Sequence, residues 1–429
     1  MSGAVAAHAA YNGSGTQGLA VTNKIQDQEG DVMSVFWNKN DTTRQLLHGS
    51  TILEVPASGG SGNVSNWDST QIFDINNDID CLGDMYLEVE IDSTAGDTVS
   101  SNFEAQVIAT AIKRVEFQVG TQIWQTLEYQ DIMGLASTEM SEGVYREFSN
   151  QTSGRYTNTG KVINTATFTA RAGAVVGYFT DDITVLAADS ARTAYIPLKM
   201  FTKSVGPELQ HFSEKSEGGY LMAAAPNQQV KIKVYTSSNI IEPIANTSSN
   251  LNIRLFAKNI VMCNEEREQM KAMPMGIPKR IKTTQNANSG INTSALTQVI
   301  DIDHFSLYAS HLLITFPKSA YNSIDGVELL LNSSSFSGEL PTSLLEIISS
   351  SMNLYNNNYI VGGVDEDRFD TIVFPLASRA YSGSSVPLNR FDNIRLKIRH
   401  RGATGAFNIT CVGETTALYK GGAASLAMY

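Results

Sequence analysis

Charge, and positive charge above all, is scarce in this sequence. Only 17% of its 429 residues are charged, and 43 acidic residues outnumber 31 basic ones, which gives a formal net charge of −12. Proteins that bind nucleic acid through its phosphates carry clustered Lys and Arg, so we expect no direct contact with nucleic acid. Such low charge is also unusual for a monomer, and it favours a protein whose surface is largely covered by partners.

Cysteines and long apolar runs are equally rare. The three cysteines, Cys81, Cys263 and Cys411, form no CxxC pair, and their odd number argues against a disulfide framework or a zinc knuckle. Each adjoins an apolar run, so we expect all three to be buried as small apolar side chains. No run of 18 apolar residues predicts a transmembrane helix, and the first residues lack the positive charge and apolar core of a signal peptide.

Patterns typical of catalytic or metal sites are missing as well. The six histidines form no HxH or HExxH motif, and there is no GxSxG motif, which argues against a zinc site or a serine hydrolase of that type. The segment from Asp74 to Asp80 begins like a calcium loop, but Ile79 and Met85 stand where such loops need Gly and Glu. We therefore predict no catalytic residues, no cofactor and no metal site.

The sequence does contain a series of short β-branched and aromatic runs, separated by Gly, Asn, Asp and Ser. This spacing is typical of an all-β sandwich or barrel. In residues 85–91, apolar side chains alternate with Tyr86, Glu88 and Glu90, as expected for a strand with one buried face. Two short helices are predicted at 264–272 and 343–350. The predicted strands are 51–55, 85–91, 112–119, 230–235, 253–262, 307–316, 326–331, 371–374, 394–398 and 407–412.

The same strand pattern occurs twice along the chain. Residues 112–117 (IKRVEF) match 324–329 (IDGVEL), 195–198 (YIPL) match 373–376 (VFPL), and 230–234 (VKIKV) match 394–398 (IRLKI). The order is the same in both halves, while the separation shrinks from 212 to 178 to 164 residues. We infer that one β-fold is present twice and that its first copy carries the longer loops.

A polar segment bounded by proline separates the two copies. Pro274 and Pro278 follow the polar stretch at 264–272, and strand-like runs resume after them. The predicted organisation is an N-terminal arm at 1–40, a first jelly roll with longer loops at 41–263, a linker at 264–278 and a second jelly roll at 279–429. The jelly-roll assignment rests on the resemblance described next.

Five segments carry a distinctive series of motifs. Residues 76–91 (NNDIDCLGDMYLEVEI) and 111–134 (AIKRVEFQVGTQIWQTLEYQDIMG) place an MYLEV strand before an IKxVE strand. Residues 36–44 (FWNKNDTTR), 194–201 (AYIPLKMF) and 371–398 (TIVFPLASRAYSGSSVPLNRFDNIRLKI) add three further elements. Together they resemble the major capsid proteins of nucleocytoplasmic large DNA viruses, of the iridovirus and phycodnavirus kind. The family-like positions are Gly83, Asp84, Tyr86, Leu87, Val115, Glu116, Gly120, Pro197, Leu198, Pro375, Arg390, Asp392 and Asn393.

The resemblance implies an all-β double jelly roll, that is, two tandem eight-stranded jelly-roll β-sandwiches with short helices in the loops. It also implies a structural major capsid protein whose homotrimers form pseudo-hexagonal capsomers that tile an icosahedral shell. The implied partners are further copies of the chain, neighbouring capsomers, minor capsid proteins and an internal viral membrane beneath the N-terminal arm. The implied location is the virion capsid, assembled in the host cytoplasm.

Three other functions stay open at this point. Residues 199–201 (KMF) replace an aromatic cluster of the family pattern and residues 37–39 (WNK) replace an FK pair, which leaves room for a minor capsid or penton-type paralogue. A jelly-roll protein that binds carbohydrate or mediates adhesion would need exposed Trp or Tyr platforms, and the chain has three Trp. A jelly-roll enzyme would need Asp, Glu or His side chains that converge in a pocket.

Overall fold

The computed structural model shows two β-sandwiches with short helices between some strands. It describes residues 49–58, 64–65, 67–75, 79–92, 107–152, 156–157, 160–161, 192–198, 220–238, 250–261, 268, 277–291, 295–317, 320, 323–352, 354–355, 369–378, 385–402 and 405–427. The strands form four sheets with antiparallel pairing.

The first sandwich occupies the first half of the chain. One sheet has the strand order β1-β11-β4-β9-β7-β8, with β2 beside β11, and the other has β3-β10-β5-β6. The strands are β1 (Gly49–Val55), β2 (Val64–Ser65), β3 (Thr70–Ile75), β4 (Cys81–Asp92), β5 (Ile112–Val119), β6 (Gln122–Glu128), β7 (Tyr156–Thr157), β8 (Gly160–Lys161), β9 (Arg192–Pro197), β10 (Val230–Thr236) and β11 (Asn250–Val261).

The second sandwich occupies the remainder. One sheet has the order β12-β21-β14-β18, with β19 beside β14 and β22 beside β21, and the other has β13-β20-β15-β16, with β17 beside β15. The strands are β12 (Ile277–Ile291), β13 (Thr297–Asp301), β14 (Tyr308–Pro317), β15 (Ile324–Leu331), β16 (Ser334–Ser335), β17 (Leu340–Pro341), β18 (Phe369–Pro375), β19 (Val386–Pro387), β20 (Ile394–His400), β21 (Gly405–Lys420) and β22 (Ala423–Ala427).

Both sandwiches have the jelly-roll strand order. In each, eight of the eleven described strands form two four-stranded layers, in which β1 pairs with β11 and β3 with β10 in the first sandwich, and β12 pairs with β21 and β13 with β20 in the second. The predicted fold class, a tandem double jelly roll, is confirmed. The three repeated sequence segments fall on equivalent strands, β5 and β15, β9 and β18, and β10 and β20.

The duplication extends to single hydrogen bonds. Gly120 begins the two-residue turn between β5 and β6, and Asn332 begins the turn between β15 and β16. Both residues have left-handed backbones, with φ of 59° and 49°, which Gly and Asn adopt more readily than other residues. The Gly120 N–H donates to the carbonyl of Gln229, and the Asn332 N–H donates to the carbonyl of Asn393, each at 2.8 Å. Gln229 and Asn393 immediately precede β10 and β20.

Replacing Asn332 tests what this turn contributes to stability. Its Oδ1 accepts hydrogen bonds from the backbone N–H groups of Asp392 (3.0 Å) and Asn393 (3.2 Å). We expect Asn332→Ala to lower the free energy of unfolding by about 2 kcal/mol, because it loses these bonds and strains a left-handed backbone. Asn332→Gly removes the strain and should cost about half as much. Urea unfolding measures both, and equal losses would show that strain contributes nothing.

Strand alternation builds the two cores. In β10 the apolar residues Val230, Ile232 and Val234 are buried while the lysines between them are half-buried, as the sequence pattern predicts. Strand β20 repeats this arrangement. Cys81 and Cys411 are buried thiols, as expected, whereas Cys263 lies outside the described residues.

The helices were only partly predicted. Helix α3 (Thr342–Ser351) coincides with the predicted 343–350 helix, but α1 (Tyr129–Glu139) and α2 (Glu142–Thr152) were not expected. Helix α1 is buried on nearly all sides, so its sequence has no polar face to produce a helical period. The predicted helix at 264–272 lies outside the described residues except for Glu268.

The predicted domain boundaries stay a prediction. Strand β11 ends at Val261 and β12 begins at Ile277, where it already pairs with Tyr419 of β21. The strand thus starts within the last two positions of the predicted linker at 264–278.

Candidate assembly site

Helix α1 lies between the two sandwiches. It follows β6 directly, and residues from Gln130 to Thr138 are all buried. Its apolar residues Ile132, Met133 and Leu135 belong to the core of the first sandwich. Its other side contacts β14, β18 and β21 of the second sandwich. We call this contact between α1 and the outer face of the sheet β12-β21-β14-β18 the inter-sandwich interface.

Asp131 fixes α1 to the second sandwich through hydrogen bonds. Its Oδ2 accepts from the Asn286 side chain of β12 at 3.0 Å and from the backbone N–H of Glu128 at 2.8 Å. Its Oδ1 accepts from the side chains of Asn408 and Thr410 in β21. Asp131 is fully buried, and buried carboxylates are tolerated when their oxygens are satisfied in this way. The carboxylate therefore connects α1 to β12 and β21 of the other sandwich through hydrogen bonds.

The surroundings of Asp131 also raise the pKa of its carboxyl group. Burial raises its pKa from 3.8 to about 6 and is the largest effect. Hydrogen bonds from Thr410, the Glu128 backbone and Asn286 oppose that rise, and the nearby Glu128 charge adds to it. Asp131 thus changes its charge in mildly acidic solution, above the range of an ordinary carboxylic acid.

Gly134 is the point of closest approach between α1 and the second sandwich. A Cβ atom at this position would lie 2.5 Å from Thr315 Oγ1 of β14 and 3.5 Å from Thr371 Oγ1 of β18. The two threonine hydroxyls are themselves 3.2 Å apart and hydrogen-bonded. Glycine is needed here because any side chain would overlap the buried Thr315.

A buried ion pair lies at the C-terminal end of α1 in the inter-sandwich interface. Lys282 of β12, whose side chain is only 1% exposed, pairs with Glu139 at the end of α1. His311 of β14 is fully buried nearby, and its Nδ1 is 2.8 Å from Ser310 Oγ. Burial, together with the Lys282 charge, lowers the pKa of His311 to about 3, while Glu139 opposes the shift. His311 is therefore neutral at physiological pH.

Apolar and backbone contacts extend the connection beyond α1. Tyr419 of β21 stacks edge to face on Tyr220, with ring centroids 5.4 Å apart. The backbone N–H of Asn227 donates to the carbonyl of Gly422 at 3.0 Å, so the turn between β21 and β22 is attached to the first sandwich. Residues from the second half of the chain that belong to the first core are Ile281, Leu313, Met352, Leu354, Val373, Val412, Ala417, Tyr419 and Ala424.

The family-like residues of β4 and β9 lie together. Gly83 and Asp84 form a bulge in β4 opposite Lys258, where a Cβ on Gly83 would be 3.3 Å from Lys258 Cβ. Tyr86 pairs with Pro197 across the sheet. Two leucines complete this group: Leu87 is buried in the core, and Leu198 is buried and donates its N–H to the carbonyl of Met85 at 2.6 Å.

The remaining family-like residues lie elsewhere. Val115 is in the core, and the buried Glu116 accepts from Tyr235 Oη at 3.0 Å. Gly120 forms the turn described above. Pro375 ends β18 opposite His311, and Arg390, Asp392 and Asn393 precede β20. The structure thus distributes these residues over turns, bulges and strand ends, and does not gather them into one pocket.

The residues of the inter-sandwich interface were not predicted from the sequence. Asp131 and Gly134 fall within the family-like 111–134 segment without standing out in it, and Asn286, Asn408 and Thr410 lie in no predicted site. A partial signal exists: Glu128 and Asp131 have the spacing of a capping box, which marks the start of a helix. No nearby sequence feature indicates that the Asp131 carboxylate accepts hydrogen bonds from the second sandwich.

Neither a metal centre nor a membrane span is found in the part of the chain that the structure describes. There, no three His, Cys, Asp or Glu side chains are grouped closely enough to hold a metal ion. In the same residues, no helix has the length and apolarity to cross a membrane.

Comparisons with known proteins identify the fold. No protein-family model matches the sequence, and no curated protein matches it. A quasi-atomic model of the PBCV-1 virus capsid covers 93% of this chain and 99% of its own, with a TM-score of 0.65 and 13% identity. The Faustovirus major capsid protein covers 96% of both chains, with a TM-score of 0.60 and 10% identity. The STIV major capsid protein covers 85% of this chain and 96% of its own, with a TM-score of 0.52 and 7% identity. The chain therefore has the double jelly-roll fold of viral major capsid proteins.

Proposed function

We propose that this chain is a viral major capsid protein, a structural subunit that assembles into trimers and has no catalytic role. The observation that carries the proposal is the pair of equivalent jelly rolls held side by side by the inter-sandwich interface. The likeness to capsid proteins over most of the chain supports it.

The geometry explains why such a chain suits a shell. Three copies contribute six similar sandwiches, and a ring of six has a pseudo-hexagonal outline that can tile a closed surface. The low charge fits subunits whose sides are covered by neighbours. In this proposal, neighbouring capsomers and minor capsid proteins cover the remaining sides, and the N-terminal arm faces an internal membrane. Assembly takes place in the host cytoplasm.

The described residues give less support to the rival functions. A sugar-binding jelly roll typically needs an exposed tryptophan or tyrosine platform, and neither described tryptophan forms one, since Trp124 is only 6% exposed and Trp67 is half-buried. An enzyme needs titratable groups that face a cleft. Asp131 and His311, two groups whose pKa values are strongly shifted, are fully buried in the inter-sandwich interface and do not face a cleft.

Light scattering coupled to size-exclusion chromatography tests the proposal. We expect a species near three times the 46.5 kDa chain mass, with hexagonal outlines in negative-stain images. Pentagonal outlines would favour the penton-type paralogue. A clean monomer at all concentrations would contradict the capsomer function and favour the binding and enzymatic alternatives.

A further inference from the structure

Helices α1 and α3 hold equivalent places in the two sandwiches. Each follows the β5–β6 or β15–β16 hairpin and precedes the equivalent strand β9 or β18. When the helices are aligned from their first residues, Tyr129 and Thr342, Asp131 corresponds to Leu344 and Gly134 corresponds to Ile347. The two residues through which α1 contacts its neighbouring sandwich thus have direct counterparts on α3.

The counterparts on α3 are apolar and exposed. Leu344 is 41% exposed and Ile347 is 70% exposed, whereas Leu345 beside them is buried in the second core. Residues three apart share one face of a helix, so Leu344 and Ile347 form a single apolar patch. Among the described residues of one chain, no sandwich covers this patch of α3 as the second sandwich covers α1.

The duplication also identifies the surface that should receive α3. Helix α1 covers the outer face of β14, β18 and β21, whose equivalents in the first sandwich are β4, β9 and β11. The repeat matches Val373 with Tyr195, and cross-strand pairing extends this match along the sheet. The equivalent pairs are His311 and Tyr86, Leu313 and Glu88, Val373 and Tyr195, Thr410 and Arg254, and Val412 and Phe256.

These first-sandwich residues, Tyr86, Glu88, Tyr195, Arg254 and Phe256, form what we call the receiving face. Tyr195 is 44% exposed, and its ring lies 6.5 Å from that of Phe256. Arg254 forms an ion pair with the buried Glu88 at the centre. The face is therefore aromatic and partly open, whereas its counterparts on the second sandwich are buried beneath α1.

A groove beside the receiving face provides room for larger side chains. Its volume is about 590 Å³, and it is lined by Tyr86, Tyr195 and Pro197 on the strands and by Val144 and other residues of α1 and α2. The groove matters because Ile347 stands where α1 has Gly134. An isoleucine holds α3 farther from the sheet than a glycine would, and it needs an apolar recess to enter.

We propose that α3 of one copy docks on the receiving face of a second copy, with Leu344 and Ile347 directed toward Tyr195 and the groove. The inference rests on the proposed function, because it assigns the surfaces that join subunits in the trimer. The contact is head to tail: it repeats between copies the contact that α1 makes within a copy. Because the contact within a copy and the contact between copies have the same geometry, three chains place their six sandwiches in a closed ring.

Charge on α3 should break this contact. We expect Ile347→Glu to weaken trimerisation by roughly 100-fold or more, because it places a carboxylate in an apolar interface. The thermal midpoint of the monomer should not fall, since the side chain is exposed. The control is Val299→Glu on β13, which adds the same charge at another exposed apolar position, 51% exposed, away from α3 and the receiving face. If the wild-type chain and Ile347→Glu are both trimers, the docking is wrong and the proposed function stands; a wild-type monomer overturns both.

Cross-linking tests the pairing of the two surfaces. Ile347→Cys combined with Tyr195→Cys should give covalent dimers and trimers, but no larger species, with a short bis-maleimide. Each single-cysteine variant and the wild type give the background. Covalent dimers from Ile347→Cys alone would mean that two α3 helices face each other, and this result would overturn the head-to-tail arrangement.

Discussion

Gly134→Val will destabilise the protein by about 3 kcal/mol or more. The new Cβ would lie 2.5 Å from Thr315 Oγ1, and Thr315 is fully buried, so neither partner can move without displacing α1 or β14. Overpacking at rigid sites typically costs about 1–3 kcal/mol, and a branched side chain adds to this cost within a helix. Thermal or urea unfolding of the purified chain measures the loss.

A second glycine provides the control for this substitution. A Cβ atom on Gly143 in α2 would have no other atom within 4 Å, so Gly143→Ala should be neutral or stabilise by up to about 1 kcal/mol. Combining Gly134→Ala with Thr315→Ala should recover part of the loss caused by Gly134→Ala alone. Equal effects of alanine at 134 and 143 would show that the close approach is not tight.

Asp131→Ala will cost at least about 3 kcal/mol. It leaves the half-buried Asn286 and the buried Asn408 and Thr410 without their shared acceptor, and each buried polar group left unsatisfied costs about 1–3 kcal/mol. The matched control is Glu142→Ala, which removes an exposed ion pair with Arg146 and should change stability by less than about 1 kcal/mol. A loss at Asp131 no larger than that at Glu142 would show that the carboxylate does not hold the interface.

The raised pKa of Asp131 also predicts a pH dependence. Between about pH 4 and pH 6 the folded protein keeps the Asp131 proton while the unfolded chain has released it, so stability from this group falls as pH rises. The free energy of unfolding of the wild type, measured relative to that of Asp131→Asn at the same pH, should fall by about 3 kcal/mol from about pH 4 to pH 7. A difference that stays constant over this range would contradict the shifted pKa.

Local sequence patterns predicted most of the strands and the repeat. Alternation in β10 and β20 located strands that the structure confirms, and three short matches identified equivalent strands because they retain both chain order and side-chain pattern. The offset of 212 residues even aligns the turn residues Gly120 and Asn332.

The inter-sandwich interface was not predictable in the same way. Helix α1 is buried against apolar residues on one side and polar residues on the other, so it has no solvent-facing period. Asp131 acquires its role only from Asn286, Asn408 and Thr410, which lie 155, 277 and 279 residues further along the chain. Contacts at such separations depend on how the two sandwiches pack together. Local sequence patterns do not predict that packing.

The attachment of the last hairpin to the first sandwich has a consequence for folding during synthesis. Asn227 bonds to Gly422, and the backbone of Ala424 donates to the Gln228 side chain, so the first sandwich makes contacts with residues translated as many as 196 positions later. Pairings at such long range fold slowly, because loop closure must precede them. A ribosome-bound chain therefore carries α1 without its cover until β14, β18 and β21 have been translated, and a chain terminated before β21 lacks the paired sandwiches that the proposed assembly requires.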